Sequence, residues 1–260
     1  LGRLGQVGAR GVDDRDEREP QLIGQPHAAL CLAQPGWPER RVDLSRAVVP
    51  DELDTDAQLL FERYGGFGRG FARHVYRVPP GDSAARSYGG TGRFGTGANM
   101  AFRRAFFARE GLFDPALDVG TPSAGGGDLE MFFRVLKAGH ALVYEPAAMV
   151  RHRHRRDYDA LKAQLTNNGI GFFAYLARTA DAYPDERVAL ARLGLWWIWW
   201  WNLRRLARSL VRPRTFPIDL VVAELSGSCI GLWRYAAARR QAAAVLREFG
   251  APGEAVGDTA

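Results

Sequence analysis

Two groups near the middle of this chain have the types and spacing for chemistry. Asp128 follows Gly125, Gly126 and Gly127 and opens an apolar-periodic segment, while His152 and His154 alternate behind the short apolar run 147–150. A carboxylate within hydrogen-bond reach of a hydroxyl accepts its proton as that hydroxyl attacks a carbon. An Asp at a helix start also caps free backbone N–H groups, and the helix N-terminus favours its ionised form, which weakens it as a base. A neutral imidazole is a common ligand for divalent metals, and alternate residues of an extended chain share one face, so both histidines point the same way. Arg151, Arg153, Arg155 and Arg156 flank them; that charge opposes a cation and suits a diphosphate.

A second group precedes these. Gly97 lets the backbone approach a ligand, and the Asn99 amide both donates and accepts at a sugar or phosphate; the other reading is a tight turn with a capping Asn. Arg103 and Arg104 follow, with Arg103 the candidate for facing an anionic substrate. Trp37, Tyr64, Phe67 and Phe71 offer rings for stacking on the apolar face of a sugar or for core packing.

The elements that must position these residues alternate in period. Residues 54–63 read as a helix with an N-cap and an apolar face of Leu59, Leu60 and Phe61, ended by Gly65 and Gly66. Residues 79–87 read as surface loop. Residues 98–102 have the length of a strand, and 103–110 continue as a helix stopped by Gly111. A helix over 128–138 places Leu129, Phe132, Phe133 and Leu136 inward and closes at Gly139, and two short strands, 141–144 and 147–150, flank Pro146. Interleaved strands and helices argue an α/β layer architecture. From residue 157 the pattern is helical: 158–180, with Asn167, Asn168 and Gly169 as a possible interruption, then 184–210 and 217–249. Residues 1–47 show neither period and read as a divergent or poorly ordered segment; 48–156 form the α/β portion and 157–260 the helical region.

Composition narrows the field. A chain of 260 residues with 47% hydrophobic residues can bury a sizeable core. Its 35 basic residues exceed 29 acidic ones, and Lys137 and Lys162 are the only lysines. Arginine forks suit phosphates and acidic headgroups. The basic residues are dispersed and no nucleic-acid reader motif is present, so no nucleic acid is expected as a partner. Cys31 and Cys229 form no CxxC pair, which gives no disulfide framework and a reducing, cytoplasmic setting. The first 20 residues lack the apolar stretch of a secretory signal, and the most apolar run, 193–201, falls short of the ~20 residues a membrane-crossing helix needs. The run Trp196, Trp197, Trp199, Trp200 and Trp201 beside Arg204, Arg205, Arg208 and Arg212 suits the membrane interface, where indoles sit among headgroups, or else packs within the helical region.

Taken in order, Gly95 to Arg104, Gly111 to Asp114, Gly125 to Arg134 and Tyr144 to Pro146 with His152 resemble the acceptor-side half of a family 2 inverting glycosyltransferase with the GT-A fold. The resemblance runs over roughly residues 48–175. It implies a partial GT-A fold with a helical appendage, and transfer of a sugar from a nucleotide-sugar donor to a glycan or lipid-linked acceptor, peripherally at the inner face of a membrane. By the same resemblance Asp128 is the base, Gly97, Asn99 and Arg103 border the donor, and His152 helps hold a divalent Mn or Mg ion. The family's Asp-x-Asp has one early match, Asp14 and Asp16, without a strand-like run before it, and Gly127 stands where the family has Glu. Thirteen residues precede Asp14, too few for a βαβ unit of ~30 residues, so the nucleotide-binding half is expected to be missing or divergent. The alternative is a catalytically inactive protein that binds at a membrane surface.

Overall fold

The computed structural model describes residues 42–214 and 217–249. It is an α/β fold: a four-stranded mixed sheet followed by a long helical region. The strands are β1 (Val42–Pro50), β2 (His74–Tyr76), β3 (Met100–Ala101) and β4 (Ala141–His152), in the order β2-β4-β1-β3. β1 and β4 run parallel, and β2 and β3 close the two sides antiparallel. The helices are α1 (Asp56–Arg63), α2 (Ala84–Tyr88), α3 (Arg104–Glu110), α4 (Gly127–Lys137), α5 (Tyr158–Ala182), α6 (Arg187–Trp196), α7 (Leu203–Val211) and α8 (Ile218–Phe249).

The expected helices form where start and stop signals agree with the apolar period. Thr55 caps α1 in a reciprocal box with Gln58, and Leu60 and Phe61 turn inward while Leu59 is only half-buried. Gly111 ends α3 with φ +84°, and Gly139, with φ +78°, follows α4. α4 lies on the sheet through Met131, Phe132, Val135 and Leu136, packed with Phe94, Phe106 and Leu142. Each such side chain contributes about 1.5–3 kcal/mol by leaving water.

Several expectations change. β1 begins at Val42, inside the stretch read as aperiodic, because a strand flanked on both sides takes its support from the β4 ladder rather than from alternation of its own. The two strands expected around Pro146 are one strand whose pairing with β1 shifts between Glu145 and Val150. Proline has no N–H to give a ladder, and it falls where the ladder is already broken. The loop expected over 79–87 contains the start of α2, capped by Ser83, and β2 just before it is a three-residue edge strand. Asn167, Asn168 and Gly169 leave α5 uninterrupted. Gly169 instead meets α8: a Cβ there would stand 2.2 Å from the Glu224 carbonyl oxygen, and one at Gly227 would stand 2.0 Å from that of Thr166.

The helix expected over 184–210 is three pieces, α6, a π-helical turn at Trp197–Asn202, and α7. The buried Asn202 amide donates to the Trp197 carbonyl oxygen at 2.9 Å, as side chains do where a helical ladder widens. Among the described residues no helix is long and apolar enough to cross a membrane.

Candidate functional site

The site residues gather at the carboxyl ends of β1 and β4, the edge at which open α/β sheets hold ligands. β3 is antiparallel to β1, with Ser45 opposite Met100, so the turn before it, residues 96–99, points towards that edge. Gly95 enters this turn against Ser45, where a Cβ would come within 3.1 Å of the Ser45 side chain. The Ser45 hydroxyl donates to the Phe94 carbonyl oxygen and ties the turn to β1.

Asp128 stands in the first turn of α4 but does not cap it; the N-cap is Gly126. Its Oδ2 accepts the Gly97 N–H at 2.8 Å and its Oδ1 accepts the Leu129 N–H at 2.9 Å. Gly97 is glycine for space, since a Cβ would lie 3.2 Å from Asp128 Cβ. Burial pushes the Asp128 carboxyl above the usual range, against the lowering effect of the Gly97 and Leu129 N–H groups. A carboxylate oxygen has more than one lone-pair direction, so both remain able to accept another proton.

Asn99 sits in the same turn with a structural task. Its Nδ2 donates to the carbonyl oxygens of Ala47 at 3.0 Å and Ala148 at 2.9 Å, which clamps β1 to the irregular stretch of β4. Both amide hydrogens are thereby used within the protein. Arg103 is not brought to this edge. It is the exposed N-cap of α3, beyond the Leu44 and Ala101 pair and therefore towards the start of β1; four residues of extended chain from Asn99 carry it ~13 Å away.

His152 ends β4 opposite Pro50 and is half-buried. Its ring lies 5.5 Å from that of His154, so the two do share a face, and 5.1 Å from Phe67. Burial, then His154 and Arg155, hold the His152 imidazole below its usual range, which keeps it neutral near pH 7. Its buried Nδ1 has no hydrogen-bond partner among the described residues. His154 is committed elsewhere: Nε2 meets Glu62 Oε1 at 2.8 Å. Glu62 gave no signal in the sequence, because the pair is 92 positions apart and only the packing of α1 against the residues that follow β4 creates it.

A divalent ion requires several donors. Among the described residues no three His, Cys, Asp or Glu side chains gather closely enough to hold one, and His152 offers a single nitrogen. These residues alone do not make a metal site; Asp14 and Asp16 lie outside the described residues. So does Trp37. Phe67 packs on Phe61 at 5.0 Å and Tyr64 is buried, so neither is a free stacking surface, whereas Phe71 is 74% exposed. Asp114 is structural, capping the turn Pro115–Leu117 and pairing with Arg178 at 2.8 Å.

Asp128 and Gly97 are thus in direct contact, Asn99 braces their turn, and His152 stands on the same sheet edge. Comparison with models of known families, with curated proteins and with solved structures finds no match to this chain.

Proposed function

We propose that this chain is a glycosyltransferase that moves a sugar from a nucleotide-sugar donor to a hydroxyl of a glycan or lipid-linked acceptor, with inversion, on a partial GT-A fold. The observation that carries this reading is the Asp128 carboxylate, held by the Gly97 N–H at the carboxyl edge of the parallel strands and raised in pKa by burial. In the transfer, the acceptor oxygen forms a bond to the anomeric carbon as that carbon's bond to the diphosphate oxygen breaks. The hydroxyl proton passes to Asp128, and the nucleoside diphosphate leaves. A carboxyl with raised pKa is the stronger base for this step. His152, half-buried at the end of β4 and held neutral, is the residue of this edge that the reading assigns to the leaving diphosphate. Contact with a membrane surface at the cytoplasmic side belongs to the same reading, as an approach to a lipid-linked acceptor.

The test is a titration of uridine and guanosine diphosphates, with and without manganese, against the chain and its Asp128→Ala and His152→Ala variants. Expected is binding that His152→Ala weakens and Asp128→Ala leaves nearly intact, with sugar transfer lost in the Asp128 variant. Strengthening by manganese would bring a divalent ion into the donor site. Absence of nucleotide binding would favour the second reading, a non-catalytic protein at a membrane surface, which the exposed Trp199 and Trp200 support.

A further inference from the structure

A cavity of about 340 Å³ opens between the end of α1 and α7, far in sequence from Asp128, and is lined by Arg63, Trp201, Arg204, Arg205 and Arg208 together with Tyr64. Arg205 is buried and already satisfied: it pairs with Glu224, donates to the Tyr64 carbonyl oxygen at 3.0 Å, and lies over the Tyr64 ring at 4.1 Å. Glu224 is therefore neutralised from within. Arg63, Arg204 and Arg208 are exposed, and none has a carboxylate partner among the described residues. The Trp201 Nε1–H is buried without an acceptor among them. Three open guanidinium groups and an unused N–H donor around one cavity are a receptor for a phosphate.

The surroundings decide where that phosphate comes from. Residues 187–214 contain seven arginines and no Asp, Glu or Lys. The π-helical turn divides the tryptophans: Trp197 packs on Phe172 at 4.5 Å, while Trp199 is 65% and Trp200 56% exposed. Leu203, Leu210 and Val211 are exposed on the same segment, and Arg204 stacks on the Trp200 ring at 5.3 Å. Exposed indoles and aliphatic groups among unpaired arginines match the layering of an anionic bilayer, with apolar side chains at the acyl boundary and positive charge at the phosphates. A soluble phosphate ester would have no use for the apolar part.

We propose that the π-helical turn and α7 dock on an anionic phospholipid bilayer, with the cavity between α1 and α7 receiving one headgroup phosphate. This deepens the membrane contact of the proposed function by giving it a surface and a headgroup site, and it does not depend on glycosyl transfer itself. The test is co-sedimentation of the full chain with phosphatidylcholine vesicles made with and without phosphatidylglycerol, for the native chain, Arg204→Gln/Arg208→Gln and Trp199→Ser/Trp200→Ser. All four positions are exposed or half-exposed, and circular dichroism melts report whether each variant keeps its fold. Expected is binding that needs the anionic lipid, falls about fivefold per arginine removed, and weakens with added salt. The tryptophan pair should lose binding to the same vesicles. Inorganic phosphate should not displace the bound chain; displacement would assign the cavity to a free phosphate and overturn the bilayer. Equal binding to both vesicle types, or unchanged binding by the folded arginine variant, would also overturn it. Neither result bears on nucleotide binding, so the two readings fail separately.

Discussion

The sheet half and the helical half of this molecule use glycine for different ends. At the sheet edge Gly97 brings a backbone N–H onto the Asp128 carboxylate, and Gly126, with φ +105°, lets α4 begin against α5, where a Cβ would stand 2.6 Å from the Gly171 carbonyl oxygen. Between α5 and α8 glycine serves contact alone: Gly169 and Gly227 let two helix backbones touch. Polar groups divide less cleanly. In the sheet half the Asp128 carboxylate accepts two backbone N–H groups and keeps lone pairs over; in the helical half Arg205 and Glu224 satisfy each other in the interior, while the Trp201 N–H beside them has no acceptor among the described residues. Capacity left open marks a place for a ligand, and capacity closed internally marks a joint.

The sharpest way to break this contrast is Asp128→Asn. The amide oxygen can still accept the Gly97 N–H, and the NH2 gives up only the Leu129 N–H, a loss that does not vary with pH, so the turn should hold while sugar transfer falls about 10²–10⁴-fold, the usual worth of a general base. Stability should move the other way. Because burial raises the folded carboxyl pKa above its unfolded value, the neutral form's contribution is complete below the unfolded pKa and is lost as pH rises through the folded one. Asn cannot ionise, so urea unfolding should show the variant gaining on the native chain as pH climbs from the ordinary carboxylate range to neutrality. A difference that stays flat with pH would remove burial as the cause.

Next in size is Gly227→Ala. The added methyl strikes the Thr166 carbonyl oxygen, which as backbone cannot swing aside, so the loss should reach about 3 kcal/mol, the upper end for overpacking. Urea unfolding measures it, and nucleotide binding by the folded fraction should be unchanged if this glycine serves only the joint. The smallest effect is expected for Asn99→Ala. It removes the donors to Ala47 and Ala148 and should cost about 1–2 kcal/mol. Transfer should nonetheless fall with Asp128 intact, because the turn carrying Gly97 loses its brace. Native activity in that variant would separate Asn99 from the site.

Legibility from sequence followed how local the cause was. The spans of α3 and α4 were readable because apolar spacing and a terminating glycine lie within one short window. β1 was not, since the alternation of Val42 to Ser45 breaks at Arg46 and the apolar run that follows, and its place between β3 and β4 is a pairing over long separations. β2 and α2 are too short to carry a period. At the site, Asp128 and Gly97 were singled out by residue type and motif order, but that one donates to the other depends on where residues 96–99 fold over α4. The direction of Arg103 depends on β3 being antiparallel and only two residues long, which no nearby residue encodes.

The sequence by itself determined where the longer helices form, which residue types can move a proton or meet a phosphate, and that positive charge accumulates beside the tryptophans. Those properties arise from side-chain chemistry and from hydrogen bonds a few residues apart. Only the tertiary structure decided that Asn99 is a clamp, that His154 pairs with Glu62, and that Arg205 is closed off while Arg63, Arg204 and Arg208 have no carboxylate partner among the described residues. The physical reason is that a polar group's availability depends on every partner within about 3 Å, and the pairing of distant strands and helices chooses those partners.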